Sequence, residues 1–126
     1  MDYDAKTGRE LMQKYLGTAG LAKRLEHSMA VGNLSSKVAR RIAQRNAELR
    51  LDADVCEFLG YVHDIGYSVA DGKHEVHTVD ILQKESVERE VARKAMHGQL
   101  AEQFGSKEGN IEQYIPVGIE GMILTF

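Results

Sequence analysis

From Leu21 onward the apolar residues Leu25, Val31, Leu34, Val38, Ile42 and Leu49 recur at intervals of three, four or their sums, and "KVARRIAQRNAELR" supplies a charged opposite face. That period fits an α-helix and no strand. A long amphipathic helix, or two nearly collinear ones, must therefore lie against something that covers one side of it. No alternating pattern elsewhere survives beyond a few residues, so the chain is predicted to be all-α, a single compact helical fold.

Asp52 has the character of an N-cap for "ADVCEFLGYVHD", in which Val55, Phe58, Leu59 and Val62 fall on one helical face. Gly66 and the polar "SVADGK" end that helix. Further helices are expected through "EVHTVDILQK" and "ESVEREVARKAM", the latter stopped by Gly98. "FGSKEGN" reads as a loop, and Pro116 precedes a last helix in "VGIEGMILTF". With 126 residues the chain has room for one core and not for two. One domain over residues 1–126 is expected, with 1–20 as an N-terminal helical extension.

Charge narrows the partners. A net charge of -3 creates no field that would gather polyanions. Lys37, Arg41 and Arg45, with Arg40 beside them, form a basic strip on the long helix, but Glu48 helps to balance it and a solvated face is the commoner meaning of such a strip. Nucleic acid is thus not the default partner, and a steep salt dependence of binding would be its signature. The one cysteine, Cys56, sits in an apolar helix as a small core residue. There is no signal-peptide pattern at the N-terminus and no stretch of the ~20 apolar residues that a membrane helix needs, so a reducing cytoplasm is the expected compartment. A homo-oligomer is left open.

The histidines carry the chemistry. His27 shares the face of the apolar stripe and is expected to point inward, where a lone histidine is most often satisfied by a backbone carbonyl. His63 and Asp64 end an apolar helix about 100° apart around its axis, and both can reach an ion seated at the helix end. Taken alone, they read more readily as a capping or charge pair at a helix terminus. Asp64 offers two oxygens and can bridge two metals. His74 and His77 are one helical turn apart, and His97 stands at a helix end beside Gly98, where it also suits the helix dipole.

In order along the chain, "LEHS", "GYVHDIGYS", "HEVHTVDIL" and "AMHG" resemble the HDIG variety of the HD-domain metal-dependent phosphohydrolases. The likeness runs from Leu25 to Phe126. It implies that His27 is the first metal ligand and that His63 and Asp64 are the paired ligands. Asp64, His74 and His97 become the catalytic set, with His74 and His97 serving a second ion or the substrate phosphate. The residues assigned to substrate contact are Lys73, Tyr67 and His77, the last at a variable position. Many members carry a basic residue directly after "HDIG", where this chain has Tyr67. Lys73, Arg24 or Lys23 can supply that charge instead. The family also closes its first metal site with an aspartate on the last helix, after an apolar run like "GMILTF". The expectation is that the C-terminal helix is shortened ahead of that ligand or lacks it.

Mixed imidazole and carboxylate ligands suit one or two ions of Mn, Fe, Co, Ni or Zn, and no clustered cysteines point to a thiolate zinc site. The resemblance implies hydrolysis of a phosphate ester or anhydride, of a nucleotide in the first instance, by a water that the ion activates near neutral pH. Neutral imidazole is the binding form, so metal affinity should fall below about pH 6.5. The alternative is a catalytically impaired HD-like module that acts as a nucleotide sensor or partner-binding domain.

Overall fold

A computed structural model describes residues 2–48, 51–70 and 72–95. Within them the chain forms five α-helices: α1 (Ala5–Leu16), α2 (Ala22–Arg45), α3 (Ala53–Val62), α4 (His74–Lys84) and α5 (Arg89–Arg93). One short 3-10 turn, Ala19–Leu21, leads into α2, and another, Ile65–Ser68, follows α3. There is no strand among the described residues, as the helical periodicity predicts. The residues from Met96 to Phe126, with all of "AMHG" but its Ala95, Pro116 and the expected last helix, lie outside the described residues, as does Leu49.

α3 is the centre of the bundle. Asp52 caps it as expected, its Oδ1 accepting from the backbone N–H groups of Asp54 at 3.0 Å and Val55 at 3.3 Å. Phe58, Leu59, Tyr61 and Val62 are all buried, and α1 and α2 both pack against the helix. Burying each such side chain is worth roughly 1.5–3 kcal/mol, so α3 supplies much of the driving force for the fold. α1 adds Leu11, Met12 and Leu16 to the same core. Its first turn is closed by Asp4, whose Oδ1 accepts from the Thr7 N–H at 2.9 Å. Met12 and Leu16 are fully covered, so this N-terminal helix is as firmly seated as the centre.

α2 is one continuous helix, but its buried face is not the one that its large apolar residues mark. Ser28, Gly32, Ser35, Ser36 and Ala39 face the core, while Leu34 is 62% exposed and Val38 lies outward beside it. The expected inward stripe of Leu25, Val31, Leu34, Val38 and Ile42 is corrected to this row of small residues, with Leu25 packing at its edge. The reason is distance. A Cβ on Gly60 would lie 2.5 Å from the Gly32 Cα and 2.7 Å from its N, and one on Gly32 would strike the Tyr61 ring. Backbones that meet this closely need small residues on the facing surface, which favours the polar but compact serines over leucine.

After α3 the chain turns back through the 3-10 turn and enters α4 at Lys73, whose φ of 57° is left-handed. α4 matches the expected helix and lies across the 3-10 turn. The helix expected through "ESVEREVARKAM" is shorter at its start. Ser86, at φ 73°, reverses the chain, and α5 begins at Arg89. Val87 stays buried beneath the reversal.

Candidate metal centre

His63 is the residue at which α3 ends, and Asp64 opens the 3-10 turn that follows. Both are buried, although the surrounding core is apolar. Burying a carboxylate and an imidazole has to be compensated by partners. His63 Nδ1 lies 2.6 Å from the Gly60 carbonyl oxygen, and because a carbonyl only accepts, Nδ1 carries the proton. In the neutral ring Nε2 then carries the lone pair. That lone pair faces Asp64 Oδ2 at 3.3 Å.

His27 reaches the same oxygen from α2, with Nε2 3.7 Å from Asp64 Oδ2. Its ring centre is 5.6 Å from that of His63. The expected inward histidine is corrected in one respect: 52% of its side chain is exposed, so it forms the mouth of the site and not its floor. The cause is the same rotation of α2 that turns Leu34 outward. Donor atoms of His27, His63 and Asp64 lie within 4.8 Å of one another, and among the described residues they form the group able to hold a metal ion.

This donor set fits a divalent ion. Ligand atoms ~2.1 Å from a common ion stand about 3.0–3.4 Å apart, close to the spacing of His63 and Asp64. Two lone-pair atoms facing each other at 3.3 Å call for a cation or a proton between them. A metal-bound histidine commonly donates its other N–H to a backbone carbonyl, which is what His63 does with Gly60.

Asp64 divides its oxygens. While Oδ2 faces His27 and His63, Oδ1 lies 3.6 Å from His74 Nε2. His74 is buried at the start of α4, and its Nε2 also lies 3.0 Å from Oε1 of the fully buried Glu75. Tyr67 covers the His74 ring, stacked at 4.1 Å between centres with 19° between planes. Lys73, next to His74, is exposed at the left-handed entry to α4. His77 is half-buried one turn along α4 and is not one of the three grouped donors. His97 lies outside the described residues.

Thr78 and Glu75, which sequence reasoning passed over, and Gly66, which it read only as a helix stop, hold this arrangement. The Thr78 hydroxyl accepts from the Gly66 N–H at 2.8 Å and donates to the His63 carbonyl at 3.2 Å, tying α4 to the turn that carries Asp64. Its position four residues after His74, on the same helical face, was the available signal. Gly66 is required because a Cβ there would collide with the His74 carbonyl oxygen. Glu75 adjoins His74 in sequence, and nothing in its type announces burial.

The fold and the centre define an all-α domain that brings a His-Asp pair together with a third histidine from a neighbouring helix. The HD domain profile matches residues 24–117, and the chain belongs to the HD domain family. That family is a superfamily of metal-dependent hydrolases whose members bind divalent metals. A search of curated proteins found no match, and neither did a search of solved structures. No helix among the described residues is long and apolar enough to cross a membrane.

Proposed function

We propose that the protein is a metal-dependent phosphohydrolase that cleaves a phosphate ester or anhydride, in the first instance that of a nucleotide. The observation that carries this reading is the convergence of His27 Nε2, His63 Nε2 and Asp64 Oδ2, with the His63 tautomer fixed by the Gly60 carbonyl. These three residues would hold the ion, of the Mn, Fe, Co, Ni or Zn group that mixed nitrogen and oxygen donors favour. When bound, such an ion lowers the pKa of its water towards about 7 and polarises a phosphoryl oxygen.

The chain's own residues prepare the rest. Gly60 keeps the proton on the far side of the His63 ring, so its donor atom always faces the centre. Asp64, buried and two-sided, links that centre to His74. Glu75 and Tyr67 hold the His74 ring from its edge and its face, which positions it for a second ion or the substrate phosphate. The half-exposed His27 leaves an open side for substrate entry. The seating of α1 in the same core, with the domain match over residues 24–117, supports one domain over residues 1–126, and the lone Cys56 suits a reducing cytoplasm.

The test is elemental analysis of protein purified without chelator, followed by a screen of phosphate esters on reconstituted protein. Metal with turnover supports the phosphohydrolase. Metal without hydrolysis of any ester would favour instead a catalytically impaired HD-like module, a nucleotide sensor or partner-binding domain.

A further inference from the structure

We propose that Arg24 supplies the cation that binds the substrate phosphate, held in place by Tyr67. The proposal deepens the phosphohydrolase reading and rests on it. The guanidinium carbon of Arg24 lies 4.0 Å from the centre of the Tyr67 ring, and the same ring stacks on His74 at 4.1 Å. Two flat groups so near one ring centre cannot share a face without overlapping, so Arg24 and His74 take opposite sides of Tyr67. The result is a three-layer stack from α2 through the 3-10 turn to α4. At its inner end, His74 Nε2 lies 3.6 Å from Asp64 Oδ1.

The stack brings the guanidinium to the site from two directions. Along α2, Arg24 precedes His27 by three residues, and such residues are neighbours on a helix surface, their Cβ atoms about 5–6 Å apart. His27 Nε2 in turn lies 3.7 Å from Asp64 Oδ2. Arg24 thus stands beside the open mouth of the centre, on the side where His27 is exposed.

Helix electrostatics do not account for it. Arg24 lies in the first turn of α2, where the positive end of the helix dipole disfavours a cation. Nor does an ion pair, since no carboxylate among the described residues pairs with it. What fixes it is the aromatic face, which orients the guanidinium while leaving its N–H donors at the ring's rim available for a phosphate. Tyr67 occupies the position directly after "HDIG". There it carries no charge of its own and instead seats a charge borrowed from α2.

The experiment titrates inorganic phosphate into the Mn(II)-reconstituted full chain by calorimetry, with metal content measured on each sample. The variants are Arg24→Gln, Arg24→Lys, Tyr67→Leu and Tyr67→Phe. Arg24→Gln should keep its metal and its thermal transition, since the side chain is exposed, yet bind phosphate about tenfold or more weakly. Arg24→Lys should recover part of the loss, because a point charge replaces the planar fork. Tyr67→Leu should lose severalfold, and Tyr67→Phe, which keeps the ring, should bind like the wild type. Equal phosphate affinity in wild type and Arg24→Gln overturns the role of Arg24 and leaves the phosphohydrolase standing. A metal-loaded wild type that binds no phosphate overturns both.

Discussion

Asp64 Oδ2 lies 3.3 Å from His63 Nε2, and in the neutral imidazole the proton is on the other nitrogen, donated to the Gly60 carbonyl. Two electron-rich atoms in that relation are arranged for a cation between them. His63→Ala or Asp64→Ala should reduce bound transition metal from near-stoichiometric to background in elemental analysis. His27→Ala, which removes the exposed donor, should weaken affinity and yet keep some occupancy at high metal, since the two buried donors remain. His77→Ala should retain wild-type metal content, because His77 is not among the grouped donors.

Thr78 is predicted to matter for both stability and the site. Thr78→Val leaves the buried Gly66 N–H without its acceptor, a loss of roughly 1–3 kcal/mol in urea denaturation. Thr78→Ser keeps the hydroxyl and should cost less than about 1 kcal/mol. A Val variant as stable as the wild type would show that the tie between α4 and the turn is unimportant.

Gly60→Ala places a methyl against the backbone of Gly32, which has no side chain to swing away. Overpacking of this kind costs roughly 1–3 kcal/mol, and here the obstacle is main chain, so the upper end is expected. Leu34→Ala, on the exposed side of the same helix, should change stability by less than about 0.5 kcal/mol. Chemical denaturation of the two variants side by side checks the orientation of α2.

The acid and alkaline limits of stability should differ in origin. The Glu85 carboxyl is held below its ordinary range by the Lys14 ammonium at 2.8 Å and then by the Tyr15 hydroxyl at 2.9 Å. Its folded-state pKa is depressed, so its stabilisation is complete above the ordinary carboxylate value and fades as pH falls through the folded one. Lys14 is raised by its hydrogen bond to Glu85, and Tyr15 is raised by burial and then by the same carboxylate. Their contributions are complete below the ordinary lysine and tyrosine values and fade as pH rises through the folded ones. Lys14 is exposed, with Glu85 and Tyr15 partly so, and the effect is therefore small and salt-sensitive. Thermal melts across pH should show a flatter acid limb for Glu85→Gln than for the wild type.

How much of this was legible in the sequence follows from what each residue's neighbours are. The helices were visible because their period is a local property, and Asp52 announced its cap by type and place. The ligand candidates His27, His63 and Asp64 were legible from their order. The face of α2 was not, because hydrophobicity names leucine as the inward residue. The decisive fact is that Gly60 comes from another helix and admits only a small partner at Gly32. Likewise, Tyr67 read as a departure from the family pattern until Arg24, from a different helix, was found lying on its ring. Burial of Glu75 beside His74 depends on how α4 settles on the turn, which no local pattern encodes.

The seam between Gly32 and Gly60 has a consequence for evolution of the centre. His27 belongs to α2 and His63 follows α3, so the separation of these two helices sets the gap between their imidazoles, now 5.6 Å between ring centres. The seam works as a gauge. A single methyl at the crossing meets main chain, so it pushes the two helices, and with them the two imidazoles, apart. If the centre holds an ion as proposed, its choice is therefore open to tuning from positions that never touch it.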